Sequence, residues 1–234
     1  MNIHDLLIKD LEVTPLEDVF MSQSNRDQLR QLLKEQHYSG ELANYGLPIN
    51  NKIILYGSSG CGKTLCAKAI AHSLNKPLII MNLSTIIHAR IGETSQLIKQ
   101  IFDKATRENA VLFLDEFDQI GKTRGGDQND VGEMRRLVNT LIQLIDYFST
   151  KSLLICATNH MEIIDHALLR RFQLRIHFNL PTQQELNLFY QKLLLKFPIN
   201  IHPVELLYGV SYAEAKDYCY TEVKANLIKD LDRM

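Results

Sequence analysis

The stretch GSSGCGKT at 57–64 constrains this chain more than any other. It matches G-x-x-x-x-G-K-[ST], follows the apolar run KIILYG (52–57) and leads into a helical pattern. Gly57, Gly60 and Gly62 let the backbone curl until successive N–H groups point inward, a shape that takes phosphate oxygens. The positive end of the helix that follows adds to the attraction. Ser58, Ser59, Cys61 and Leu65 complete the loop and the first turn after it, so the whole span 57–65 is a candidate nucleotide-binding segment. In that geometry Lys63 reaches β- and γ-phosphates, and Thr64 offers a hydroxyl to Mg2+. The plain alternative, a Gly-rich turn with a solvated lysine, leaves the strand–loop–helix context unexplained. Cys61 has two readings: a thiol activated at a helix N-terminus, or a small side chain of no special chemistry.

Around this loop the chain alternates short apolar runs with amphipathic stretches. The runs are 52–57, 77–83 (PLIIMNL), 111–118 (VLFLDEFD), 152–159 (SLLICATN) and 174–180 (LRIHFNL). Their shortness and continuity predict five strands buried on both faces of a parallel sheet. Helices are expected over 63–74, 94–107 and 133–148, where apolar residues recur at turn spacing. The fold class is therefore α/β, three layers deep. After Pro181 the pattern changes: TQQELNLFYQKLLLK (182–196) opens with a capping-box signature, and a last helix is expected over 211–231. The expected division is an α/β nucleotide-binding domain at 1–180, with 1–20 as its lead-in, and a small helical lid at 181–234. Residues 121–130 (GKTRGGDQND) read as a polar surface loop.

Lys+Arg total 26 and Asp+Glu 27 in 234 residues, so no overall basic field recruits nucleic acid or anionic lipid. No apolar run approaches the roughly 18 residues of a membrane span. The four cysteines form no CxxC pair, which suits free thiols in the cytoplasm.

Two further patterns carry chemistry. VLFLDEFD ends an apolar strand on two carboxylates, at the sheet edge where open α/β folds bind ligands. Asp115 suits a Mg2+ site and Glu116 a general base that activates water. Adjacent carboxylates in a cleft are costly without a cation, so the pair itself argues for a metal. SLLICATN ends on Asn159, whose amide suits a γ-phosphate or the attacking water. In DHALLRRF (165–172), Arg170 and Arg171 are either arginine fingers or a surface basic pair.

The order of phosphate loop, hhhhDE strand, strand ending in Asn and D-x-A-L-L-R-R-F resembles the AAA+ ATPases, specifically the AAA family proper. The resemblance covers nearly the whole chain and implies a P-loop NTPase domain followed by a helical lid. It implies ATP and Mg2+ as ligands and ATP hydrolysis as the activity. Lys63, Thr64, Asp115 and Glu116 match the Walker A and B positions, and Asn159 matches sensor 1. Arg170 and Arg171 match a finger pair that acts on a neighbour's ATP, which implies a homo-oligomeric ring, commonly a hexamer. Asp18, Val19 and Phe20 match the segment lining the adenine pocket, and SYAEAKDYC (211–219) the lid helix that meets adenine from the far side.

Departures from the family pattern bear on function. The first pore loop normally carries an aromatic residue; here HARIG (88–92) places Arg90 there, followed by Ile91 and Gly92. Lys122 and Arg124 would add to a basic pore, and Ile3, Leu6, Leu7 and Leu11 suggest a short amphipathic docking helix. Three functions follow as expectations. The first is a protein-remodelling ATPase. The second is an ATP-dependent assembly switch that positions a separately encoded protease or nuclease. The third, a nucleic-acid loader, is disfavoured by the balanced charge.

Overall fold

The computed structural model describes residues 14–87, 91–120, 128–203 and 205–233. Five strands form one parallel sheet: β1 (Lys52–Gly57), β2 (Leu78–Asn82), β3 (Val111–Asp115), β4 (Leu153–Thr158) and β5 (Leu174–Phe178). Their order across the sheet is β2-β3-β4-β1-β5. The carboxyl ends of β3, β4 and β1 therefore lie side by side, and that edge is where ligands bind in open α/β sheets.

Successive strand residues face opposite sides, so a strand buried on both sides feeds two cores. Ile54, Leu112, Leu114 and Leu154 point to one layer, where they meet Ile98 and Ile101 of α5 (Ile91–Arg107) and Leu137 and Leu141 of α6 (Gln128–Asp146). Ile53, Leu55, Phe113 and Ile155 point to the other, against Leu29 and Leu32 of α1 (Gln23–His37) and Ala67 and Ile70 of α3 (Lys63–Ser73). Three short helices, α2 (Ser39–Asn44), α4 (Leu83–Ile87) and α7 (His166–Leu169), join these layers.

The lid helices are α8 (Gln183–Leu194) and α9 (Tyr212–Leu231). Each starts with a capping box, Thr182 with Glu185 and Ser211 with Glu214, which satisfies backbone N–H groups at the helix start. They bury a cluster of their own, including Leu186, Tyr190, Ala215 and Cys219.

Helix α1 has no counterpart in the pattern reading of the sequence. Gln128–Asp130, expected in a loop, open α6 instead. Arg90, Lys122, Arg124 and the apolar stripe Ile3–Leu11 lie outside the described residues. Ile91 and Gly92 begin α5, and their side chains lie outside the description as well.

Candidate active site

At the end of β1 the chain turns into the loop 57–62 under tight constraint. A side chain at Gly57, where φ is +125°, would meet the Phe178 carbonyl oxygen at 2.2 Å, so β5 leaves room only for glycine. Gly60 at φ +71° is crowded from the lid: a Cβ there would lie 2.5 Å from Ser211 Oγ and 3.0 Å from Ala213 Cβ. The Ala213 N–H donates to the Gly60 carbonyl at 3.2 Å, which docks the start of α9 on the loop.

Lys63 begins α3 and is buried, with three hydrogen bonds from its ammonium. Nζ donates to the Gly57 carbonyl at 2.7 Å, the Ser58 carbonyl at 2.8 Å and Asn159 Oδ1 at 2.7 Å. Burial pulls its pKa below the usual lysine value, and the nearby Asp115 and Asp118 carboxylates pull the other way. Asn159 thus touches the loop lysine directly, from the end of β4.

Asp115 ends β3. Its Oδ2 accepts from the Thr64 hydroxyl at 3.4 Å, and its Oδ1 accepts from the Glu116 N–H at 2.9 Å. Burial raises its pKa, the Glu116 charge raises it further, and the two hydrogen bonds and Lys63 oppose the shift. A carboxylate under that tension gains from a cation beside it. Glu116 itself sits at φ +54°, a left-handed conformation that non-glycine residues seldom adopt. That turn takes its side chain off the strand line and into the cleft. Behind the pair, the Thr158 hydroxyl donates to buried Asp118 at 2.9 Å and accepts from the His160 N–H at 2.9 Å, which fixes the end of β4 beside Asn159.

These groups open on a cleft of about 630 Å³. Ser59, Gly60, Gly62, Lys63, Thr64 and Leu65 line it from the loop, Asp115, Glu116 and Asn159 from the sheet edge, and Asp18, Val19 and Phe20 from the opposite end. Gly57, Ser58 and Cys61 do not line it; the first two face Lys63 with their carbonyls, and Cys61 is buried on a smaller cavity behind the loop. Burial pushes the Cys61 thiol up, more than Lys63 lowers it.

The far end is aromatic. Phe20 meets Phe189 of α8 edge-on at 4.9 Å and Tyr212 of α9 at 5.7 Å; Phe189 and Tyr212 lie 5.1 Å apart. Arg26 of α1 donates to the Leu16 and Val19 carbonyls and holds this turn in place. Lys192 of α8 closes the outside with a 2.6 Å ion pair to Asp18. Pattern reading of the sequence missed Phe189, Lys68 and Tyr220 as cleft residues. Their only signal is an aromatic or cation on an amphipathic helix, which names a face and no partner.

Arg170 and Arg171 do not line this cleft. They also differ from each other. Arg171 is committed: Nε and Nη2 donate to the Asp146 carboxylate at 3.2 and 3.3 Å, and Nη1 donates to the Ala167 carbonyl at 2.6 Å. Arg170 is exposed, and its guanidinium has no partner among the described residues. Among those residues no three His, Cys, Asp or Glu side chains converge on a metal site, and no helix is long and apolar enough to cross a membrane.

Residues 53–180, more than half of the chain, match the profile of the "ATPase family associated with various cellular activities (AAA)". The AAA family ATPase y4kL of Sinorhizobium fredii is 35% identical over 215 residues, covering 91% of this chain and 65% of that protein. The ATP-dependent zinc metalloprotease FtsH 2 of Salinibacter ruber is 32% identical over 188 residues, covering 77% of this chain and 27% of the metalloprotease. A 26S proteasome regulatory subunit 8 homolog of Schizosaccharomyces pombe is 35% identical over 187 residues, covering 74% of this chain and 46% of the subunit. The chain thus spans less than two thirds of the length of these curated relatives. With that profile match laid over a five-stranded parallel sheet and a glycine-rich loop at its edge, the chain belongs to the AAA family of ATPases.

Proposed function

We propose that the chain binds ATP with Mg2+ in this cleft, hydrolyses it as a ring-shaped homo-oligomer, a hexamer by resemblance, and remodels a protein substrate. The observation that carries the reading is the convergence of Lys63, Thr64, Asp115, Glu116 and Asn159 on one cleft from three adjacent strand ends. In this reading 1–180 is the nucleotide-binding unit and 181–234 the lid.

Mg2+ fits the residues present. Asp115 and Thr64 face each other with hard oxygen donors, and a sparse protein donor set suits an ion that keeps substrate oxygens and waters around it. Bound there, Mg2+ would supply charge neutralisation for the phosphate chain. The chain's own residues do the rest. Lys63 holds the β- and γ-phosphate end, and the loop N–H groups orient it. Glu116 takes a proton from the attacking water, and Asn159 orients that water or the γ-phosphate. Arg170, exposed and without a side-chain partner among the described residues, would serve a neighbouring subunit, while Arg171 anchors α7 to α6.

Two of the matched relatives carry names that speak of proteolysis, a metalloprotease and a proteasome subunit, and this supports a protein as the substrate. The same names favour a second reading, in which ATP-driven assembly positions a separately encoded protease. The four free cysteines suit the cytoplasm.

Light scattering on Glu116→Gln with and without MgATP tests the ring. A nucleotide-dependent hexamer is expected; a monomer that binds ATP would overturn the ring and leave only a switch that assembles with its separately encoded partner. Mixing Glu116→Gln with Arg170→Ala subunits then tests the trans role. Each variant alone should be nearly inactive, and the mixture should recover hydrolysis. No recovery would make Arg170 a surface residue.

A further inference from the structure

Arg170 lies one residue past α7, a helix of only four residues (His166–Leu169). A helix that short has no stability of its own, so its placement is imposed from outside. Leu168 and Leu169 are buried in the core and fix its inner side. Polar contacts hold its two ends. At the start, Asp165 accepts from the Ala167 N–H at 2.6 Å. At the far end, Arg175 of β5 donates to the Leu169 carbonyl at 2.7 Å, and Arg171 Nη1 donates to the Ala167 carbonyl at 2.6 Å. The Arg170 N–H itself donates to the His166 carbonyl at 3.1 Å. The backbone under Arg170 is thus fixed, and its exposed side chain is left to reach outward.

The Arg171 guanidinium also joins α7 to a second helix. Nε and Nη2 donate to the two carboxylate oxygens of Asp146, the last residue of α6. Two hydrogen bonds side by side fix the plane of the guanidinium as well as its distance. Asp146 is badly placed for the helix that carries it. A carboxylate at a helix C-terminus opposes the helix dipole, and the last turn of α6 has no basic residue to offset it. What Asp146 gains there is the fork of Arg171, the residue next to Arg170. A carboxylate that its own helix disfavours, and that grips the neighbour of an outward-reaching arginine, serves the arginine rather than the helix.

We propose that Asp146 is a positioning residue for Arg170. Through Arg171 it sets the angle at which α7 presents the Arg170 side chain to the nucleotide of a neighbouring subunit. This role rests on the trans reading of Arg170 above and adds the group that aims it.

Mixing of whole-chain subunits tests it. The reference mixture pairs Glu116→Gln subunits, which donate Arg170 and do not turn over, with Arg170→Ala subunits, which accept it. Asp146→Ala is then added either to the donor or to the acceptor. Misplacing a catalytic group by about 1 Å can cost on the order of a hundredfold, so Asp146→Ala in the donor should lower the recovered hydrolysis rate roughly tenfold to a hundredfold. In the acceptor, whose own Arg170 is already gone, the same substitution should leave recovery at the reference level. A purely structural role would lower both mixtures alike. Recovery at the reference level with the altered donor would overturn this assignment alone. So would a loss with the altered acceptor, which would make Asp146 a residue of the fold or of its own subunit's site. No recovery in the reference mixture would overturn the trans reading of Arg170 and this assignment together.

Discussion

The two ends of the cleft are built by different means. At the phosphate end, Asp115, Glu116 and Asn159 sit at strand ends that the sheet locks in register, with Asn82 opposite Asp115 and Tyr56 opposite Thr158, and Lys63 opens α3 just after the loop that leaves β1. Their hydrogen bonds run largely to backbone or to one another. At the base end, three rings from three separate segments meet only because the lid lies over the turn at Asp18–Phe20. One end is preorganised by the fold, as chemistry requires. The other exists only while the lid is in place. Substitutions at the first end should therefore change turnover, and substitutions at the second should change affinity.

The largest effect is expected at Glu116. Glu116→Gln removes a proton acceptor and keeps shape and hydrogen bonding, so kcat should fall by about 10²–10⁴ while the Kd for ATP holds. Steady-state hydrolysis beside equilibrium binding checks it. If turnover and affinity fell together, the carboxylate would be a binding group and the division between the two ends would fail.

Phe189→Ala asks the converse question. A base–aromatic stack is worth about 1–3 kcal/mol, so its loss should weaken ATP, ADP and adenosine alike by roughly fivefold to a hundredfold. kcat at saturating ATP should change little. Unchanged adenosine affinity would mean that the base sits elsewhere in the cleft.

The same division explains what the sequence revealed. Strands β1 to β4 read clearly because burial on both faces leaves unbroken apolar runs, and the carboxylates and Asn159 follow those runs directly; β5, expected to be buried on both faces, is instead an edge strand that buries Ile176 and Phe178 and exposes Arg175 and His177. Helix α1 did not read, because its buried face includes Asn25 and Gln36, which no apolar pattern counts. Their amides are satisfied far along the chain, by the carbonyls of His177 and Asn50. Phe189 shares the reason: helical periodicity marks a buried face without naming what covers it, whereas Tyr212 lies in the stretch 211–219 that the family resemblance already set against the base. Arg170 and Arg171 are equivalent in sequence, and only Asp146, 25 residues earlier, separates the fixed arginine from the free one. Features set by one segment were legible, whereas features set by two distant segments meeting were not.

A smaller effect is expected from the ion pair that spans the base end. Asp18 and Lys192 are each about half exposed, at 52% and 49% of the side chain. Exposed pairs contribute little, so Lys192→Ala should weaken ADP by no more than about fivefold. The difference between variant and wild type should shrink at high salt. A larger, salt-insensitive loss would make Lys192 part of base recognition through its position 5.6 Å over the Phe20 ring.

Cys61 should show the least of all. It sits in the phosphate loop, yet it is 1% exposed. Burial raises its pKa, Glu214 raises it further, and Lys63 only partly offsets them. The thiolate is the reactive form, so a raised pKa means little reaction at neutral pH and more as pH climbs towards that value. Cys66, fully buried in α3, is pushed up to about 12. Thiol titration of the native protein near neutral pH should therefore count fewer than one fast cysteine, against four after unfolding in denaturant. Cys61→Ala should hydrolyse ATP at the wild-type rate. A single fast thiol mapped to Cys61 would mean that Tyr212, which shares its small cavity, moves away from the loop. Its labelling rate would then measure how often the lid leaves the phosphate end exposed, and suppression of that rate by ADP would show that the two ends close as one.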